Sequence, residues 1–188
     1  MVVDEQVITT GLDEAAIRRI VRSELEKAGS DPASKRAAFI ASKGTLDWAY
    51  PPLILATAAA AAGLEASIFF TFYGLNIVHK DFERLLKVAA VGNPAMPKPM
   101  PIPEMVMGLP GMEHIATRMM KAKFHDQNVA GIAELLEAAR ELDIRLIACQ
   151  MTMDVFGYKQ EDFIEGVEFG GAATFLADAQ NAHITMFV

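Results

Sequence analysis

Cys149 is the only cysteine in the chain, and its side chain is the best nucleophile the sequence offers. It stands at the joint of Arg145–Gly157. Leu146-Ile147-Ala148 before it form a short apolar run suited to a buried strand, and Thr152 and Asp154 after it suit the start of a helix. In an open parallel α/β sheet, ligands and reactive groups are presented beyond the carboxyl ends of the strands. A thiol placed there faces the amides and positive dipole end of the next helix, which favour a thiolate. The plain alternative is that a lone cysteine closing an apolar run is a small buried hydrophobe. The two readings part on accessibility: a reactive thiol is partly open to solvent, a packed one is sealed.

The elements that would position this thiol follow from periodicity. Ala37–Ala41 is a continuous apolar run suited to a strand buried on both faces, and Ser42-Lys43-Gly44-Thr45 is the turn after it, with amides able to meet an anion at a helix start. Leu46–Gly63 reads as a helix with Pro51-Pro52 near its start and Gly63 as its stop. Ala66–Phe72 follows as a second strand, and Tyr73-Gly74-Leu75-Asn76 opens a helix that runs through Lys87. Leu53–Phe72 is apolar enough to invite a membrane-spanning reading, but Gly63-Leu64-Glu65 divides it into an alanine-rich helix and a strand of aromatic and β-branched residues. Met112–His125 and Val129–Leu142 read as helices, Ile144–Cys149 as the third strand, Val167–Phe169 as a brief fourth, Ala172–Asn181 as a helix, and His183–Val188 as a last strand. This order predicts an α/β fold: an open, mainly parallel sheet of about five strands with right-handed crossovers and helices on both faces.

Two segments stand apart. Residues 1–34 read as an N-terminal extension with one helix from Asp13, whose Ile17, Ile20, Val21, Leu25 and Ala28 share a face; residues 35–188 form the α/β domain. Between Gly92 and Gly111 lie six prolines and four methionines without regular period, a long irregular loop suited to a partner surface.

Composition narrows the function classes. The net charge is −7 and the 17 basic residues show no dense cluster, so nucleic-acid binding has no electrostatic support. One cysteine excludes an intrachain disulfide framework and a cysteine-rich zinc site, and the four histidines include no H-E-x-x-H pair. No metal or other cofactor is expected. Residues 1–28 are polar and acidic without the apolar run of a secretory signal, so a cytoplasmic location is expected, where a thiol stays reduced.

Cys149-Gln150-Met151-Thr152-Met153-Asp154, followed by Gly157, resembles the C-x-M-(S/T)-M-D…G signature of the DsrE/DsrF-like sulfur-relay family, and within it the larger DsrE-type branch often labelled peroxiredoxin-family-like. Ser42-Lys43-Gly44-Thr45, Phe72-Tyr73-Gly74 and Gly166-Val167-Glu168-Phe169-Gly170-Gly171-Ala172 support the resemblance, which runs from about Lys35 to Val188. It implies a flavodoxin-like domain whose Cys149 accepts sulfane sulfur or thiosulfate and hands it on, with Lys43, Gly44, Tyr73, Gly74, Thr152 and Asp154 as supporting residues. Thr152 would donate to the bound sulfur species or cap the helix, and Asp154 would cap the helix or hold the loop rather than act as a base. It also implies rhodanese-like and TusA-like partners and a homo-oligomer. Some members of the branch carry a further cysteine and a membrane-associated hydrophobic segment; this chain has one cysteine and, on the reading above, no spanning helix.

Three functions compete. A sulfur carrier or sulfurtransferase needs only one thiol, because the acceptor thiol comes from the partner. A non-catalytic binding or assembly subunit would use the methionine- and proline-rich loop as its interface, and that loop or the helix after it is also the expected contact of a homo-oligomer. A peroxidase is disfavoured, since no P-x-x-x-(T/S)-x-x-C motif leads into Cys149.

Overall fold

Three apolar runs without polar alternation form the central strands: Arg36–Ala41 (β1), Glu65–Phe70 (β2) and Arg145–Cys149 (β3). Buried on both faces, they need no polar side. Val167–Gly170 (β4) and Ile184–Phe187 (β5) complete the sheet at its two edges. The computed structural model describes residues 35–88, 109 and 111–188. All four strand pairs are parallel, in the order β4-β3-β2-β1-β5, so the chain forms an open, flavodoxin-like α/β sheet. The expected extension, residues 1–34, and nearly all of the methionine- and proline-rich loop lie outside the described residues.

The steps from β1 to β4 all advance in one direction, so right-handed crossovers put their helices on one face. These are α1 (Leu46–Ala61), the short α2 (Phe82–Leu85), α3 (Met112–Asp126), α4 (Ile132–Glu141) and α5 (Gln150–Phe156). The return from β4 to β5 carries α6 (Ala172–Ala179) to the other face. Alternation along each strand then sorts the core into two layers. Phe39, Ile68, Phe70, Leu146 and Ala148 join Leu53, Ala56, Leu136 and Ala139 of α1 and α4, while Ala38, Phe69, Ile147 and Cys149 join Phe175 of α6. Ala49 and Ala56 of α1 have no exposed surface, so small side chains bring that helix close to the sheet.

The run that invites a membrane reading resolves into α1, a turn at Gly63 with φ +83°, and β2. Among the described residues no helix is long and apolar enough to cross a membrane. Several boundaries differ from the periodicity. The helix begins at Leu46 as expected, with that amide donating to the Lys87 carbonyl and Pro51-Pro52 in its second turn, but it ends at Ala61 rather than Gly63. The second strand ends at Phe70, not Phe72. The helix expected from Tyr73 to Lys87 is broken into a 3-10 turn (Phe72–Ile77) and α2. Tertiary pairing breaks it: Ile164 N–H donates to the Val78 carbonyl and Lys80 N–H to that of Asp162, and His79 bridges Phe163. The fourth helix starts at Ile132 instead of Val129, because Glu134 turns back to accept the Gly131 N–H at 2.7 Å, closing the helix start.

One ion cluster ties the thin face together. Arg145, at the start of β3, forks onto both carboxylate oxygens of Glu168 (3.0 and 2.6 Å) and reaches both oxygens of Asp178 on α6 at 2.6 Å. Hydrogen bonds from Arg145 hold the Glu168 carboxyl below the usual carboxylate range, against the opposing effect of partial burial. A carboxyl lowered on folding adds stability that is full above its unfolded value and is lost as pH falls through the folded one. Glu168→Gln is therefore expected to lower the urea midpoint near neutral pH, with the difference shrinking in acid below the carboxylate range. A deficit independent of pH would contradict this account.

Candidate functional site

Parallel register sets the strand ends level. Ala41 pairs with Phe70, Phe70 with Ala148, and Cys149 with Gly170, so the turns after β1, β2, β3 and β4 share one edge of the sheet. That edge gathers Lys43-Gly44, Tyr73-Gly74, Cys149 and Thr152, which are far apart in sequence.

Cys149 has extended backbone (φ −71°, ψ 110°) and is the residue from which α5 springs. The helix begins at Gln150, two residues earlier than Thr152. Neither Thr152 nor Asp154 caps it, since no side chain caps this helix. Thr152 is 2% exposed, with its Oγ1 3.2 Å from Thr71 Oγ1 and accepting the Phe72 N–H at 3.3 Å. It thus latches the turn after β2 onto α5. Asp154 is exposed and accepts a hydrogen bond from Gln150 Nε2 at 3.0 Å. The thiol is where the strand period puts it, on the α6 side with Ile147, Phe69 and Phe175, and the residue is only 4% exposed. The partial accessibility expected of a reactive thiol is not met in this conformation.

The amides of Trp48 and Ala49 donate to the Thr45 carbonyl and that of Leu46 to Lys87, and Asp47 adds a carboxylate in the first helical turn. Lys43 is exposed, with Nζ 3.2 Å from the centroid of the Trp48 ring, a cation–π contact that holds it over its own helix. Tyr73 is exposed, its ring centroid 5.4 Å from that of Phe156. Phe72 beside it takes φ +47°, a left-handed conformation that costs a bulky residue free energy and persists because Thr152 engages its amide. Among the described residues, no group of three His, Cys, Asp or Glu side chains is placed to hold a metal. A cavity of about 340 Å³ lies away from the thiol, lined by Tyr50, Phe124, Ile132 and Glu134; burial there, then the Glu134 charge, raises the Tyr50 hydroxyl above its ordinary pKa.

Sequence reasoning missed Thr71, which completes the Thr152 latch, and Phe175, which packs on Phe69 in the same core cluster as the thiol. Neither carries a local signal: one depends on strand order, the other on which face the last helix takes.

Gly44 and Gly74 prove to be interlocked. A Cβ on Gly44 would lie 2.0 Å from the Tyr73 carbonyl oxygen, and one on Gly74 would lie 2.1 Å from that of Ala41. The two turns meet backbone to backbone, and no rotamer change relieves either clash. Gly44→Ala and Gly74→Ala are each expected to lower stability by about 2–3 kcal/mol in urea titrations, as overpacking against rigid groups does. Lys43→Ala should cost no more than about 1 kcal/mol, the scale of one exposed cation–π contact. Equal losses for all three would remove the interlock from the account.

A family profile described as DsrE/DsrF/DrsH-like matches residues 33–187. The chain is 47% identical over 158 residues to the sulfur carrier protein DsrE2 of Allochromatium vinosum, covering 82% of this chain and 98% of that protein. It is 33% identical over 158 residues to YrkE of Bacillus subtilis, with the same coverage of 82% and 98%. The matched span begins just before β1, ends with β5 and contains every residue of the sheet edge described above, and so the chain belongs to the DsrE/DsrF/DrsH-like family.

Proposed function

We propose that the protein is a sulfur carrier that takes sulfane sulfur or thiosulfate-derived sulfur onto Cys149 and passes it to a thiol of another protein. The observation that carries this reading is the position of the chain's one thiol, at the end of β3 in the sheet edge where parallel α/β folds present reactive groups. The 47% identity to a protein named as a sulfur carrier, across nearly the whole of that protein, supports the same chemistry here.

The proposed step is an exchange that needs no external oxidant. The Cys149 thiolate attacks the outer sulfur of thiosulfate, a new S–S bond forms as the donor S–S bond breaks, and sulfite leaves with the bonding electrons. With tetrathionate the thiolate attacks a divalent sulfur and thiosulfate leaves, so Cys149 keeps a sulfur-linked sulfonate. In the return step an acceptor thiolate attacks the outer sulfur of the Cys149 persulfide, and the Cys149 thiolate leaves. Since the chain has one cysteine, the acceptor is supplied by a partner, for which rhodanese-like and TusA-like proteins have the right chemistry. A reducing, cytoplasmic setting and a homo-oligomer fit the same reading. Thr152 and the Gly44–Gly74 interlock serve it by fixing the sheet edge rather than by touching sulfur.

The burial of Cys149 favours one other reading, an assembly subunit whose thiol is only packing. Intact-protein mass spectrometry after incubation with thiosulfate, tetrathionate and polysulfide separates the two. The carrier is expected to gain one adduct per chain from at least one donor, and Cys149→Ser none, with its folding preserved. An unmodified wild type under every donor, or the same adduct on Cys149→Ser, would overturn the carrier reading.

A further inference from the structure

Cys149 is sealed on the thin face of the sheet. On the other face the strands lie beneath α1, α3 and α4, but among the described residues the cluster that holds the thiol draws on one helix, α6, through Phe175 and Ala179. That helix has eight residues and one buried side chain, Phe175, at 7% exposure. Three of its positions face the sheet in sequence. Gly171 starts the helix beside Gly170, which pairs with Cys149; Phe175 packs in the cluster that holds the thiol; and Asp178 takes both 2.6 Å contacts from Arg145. Spacings of four and three residues put these on one stripe. A Cβ on Gly171 would meet nothing within 4 Å, whereas one on Gly170, the last residue of β4, would meet Thr174 of the helix, so the open position at this joint is Gly171 itself.

We propose that α6 is a hinged cover over Cys149, with Gly171 as the hinge, Phe175 as the plug and Asp178 as the latch, and that the thiol exchanges sulfur only when this helix lifts. The inference rests on the carrier reading of Cys149. Displacement at a sulfur atom needs the incoming and leaving sulfurs in line with it, and a residue left only 4% exposed in a cluster with Phe69, Ile147 and Phe175 offers no open approach. Opening at the α6 end leaves β1, β2 and β3 paired, since their partners lie elsewhere. The latch sits at the far end of β3 from the thiol, so Arg145 acts on Cys149 only through the position of α6, and Glu168 keeps Arg145 paired when Asp178 lets go. Such a helix belongs to the low-stability end of a fold, where local opening precedes global unfolding.

The test is iodoacetamide labelling of Cys149 in the intact native chain, followed by mass spectrometry, with amide exchange of residues 172–179 alongside. Wild-type labelling should be much slower than in the urea-unfolded chain. Asp178→Asn should speed it by about threefold or more, the range expected for losing a well-formed ion pair. Phe175→Ala should speed it further, with Phe175→Leu in its place if the alanine variant does not fold. Arg140→Gln, which breaks an ion pair with Glu137 within α4 on the other face of the sheet, should leave the rate unchanged. Amides of α6 should exchange faster than those of β3. The cover is overturned if wild type labels as fast as the unfolded chain, if neither α6 variant changes the rate, or if α6 and β3 amides exchange together. Labelling uses no sulfur donor, so gated labelling without sulfur loading would remove the carrier reading alone, and loading with ungated labelling would remove the cover alone.

Discussion

Two carbonyl groups with no room beside them set the geometry of the sheet edge. Where the turns after β1 and β2 meet, the Tyr73 carbonyl occupies the space a side chain at position 44 would need, and the Ala41 carbonyl occupies the space needed at position 74. Thr71 N–H donates to Ala41 at 3.0 Å and Gly74 N–H to Thr71 at 2.9 Å, so the contact is bonded as well as close. It holds the chain in the left-handed step at Phe72, which aims the Phe72 amide and the Thr71 hydroxyl at Thr152. Thr152 in turn holds the first turn of α5, and Cys149 is the residue before that turn. The thiol is therefore placed by backbone contacts between the turns after β1 and β2, passed on to α5 through the Thr71 and Thr152 hydroxyls.

The second constraint is the two-residue period of β3. Leu146 and Ala148 face the thick side of the domain, so Ile147 and Cys149 must face the thin side. A one-residue shift would bury the thiol beneath α1 and α4, where no single small element could uncover it. The strand order adds the rest. Because β5 returns past β1 to the far edge, its connecting helix is the one that crosses the thiol's face. The face that Cys149 takes and the helix that crosses it are thus consequences of topology, with Arg145 joining β3, β4 and α6 at the opposite end.

Much of this was legible in the residues. The continuous apolar runs at Ala37–Ala41 and Leu146–Ala148 suited buried strands and are strands, and Gly63 divided a deceptively long apolar stretch correctly. The signature around Cys149 led to the family that the profile match shows. What was not legible depended on contacts distant in sequence. The helix expected through Lys87 failed because Val78 and Lys80 bond to residues 162–164, a pairing without local trace. Thr152 and Asp154 have the composition of caps, yet one is a buried latch and the other an exposed partner of Gln150, because the helix starts at the residue after the cysteine. Lys43 and Gly44 were grouped as supporting residues, and the structure gives them different work: a surface contact with Trp48 and a backbone interlock.

Sulfur release from Cys149 is the step that separates a carrier from a protein that merely becomes modified. Protein loaded from a sulfane donor, freed of excess donor and then mixed with a small thiol under native conditions can be followed by intact mass. The account predicts that the loaded chain returns to its unmodified mass while the added thiol gains the sulfur in equal amount, with the fold retained throughout. An adduct that survives the thiol until the protein is unfolded would contradict it, marking Cys149 as a trapped modification site and not a carrier.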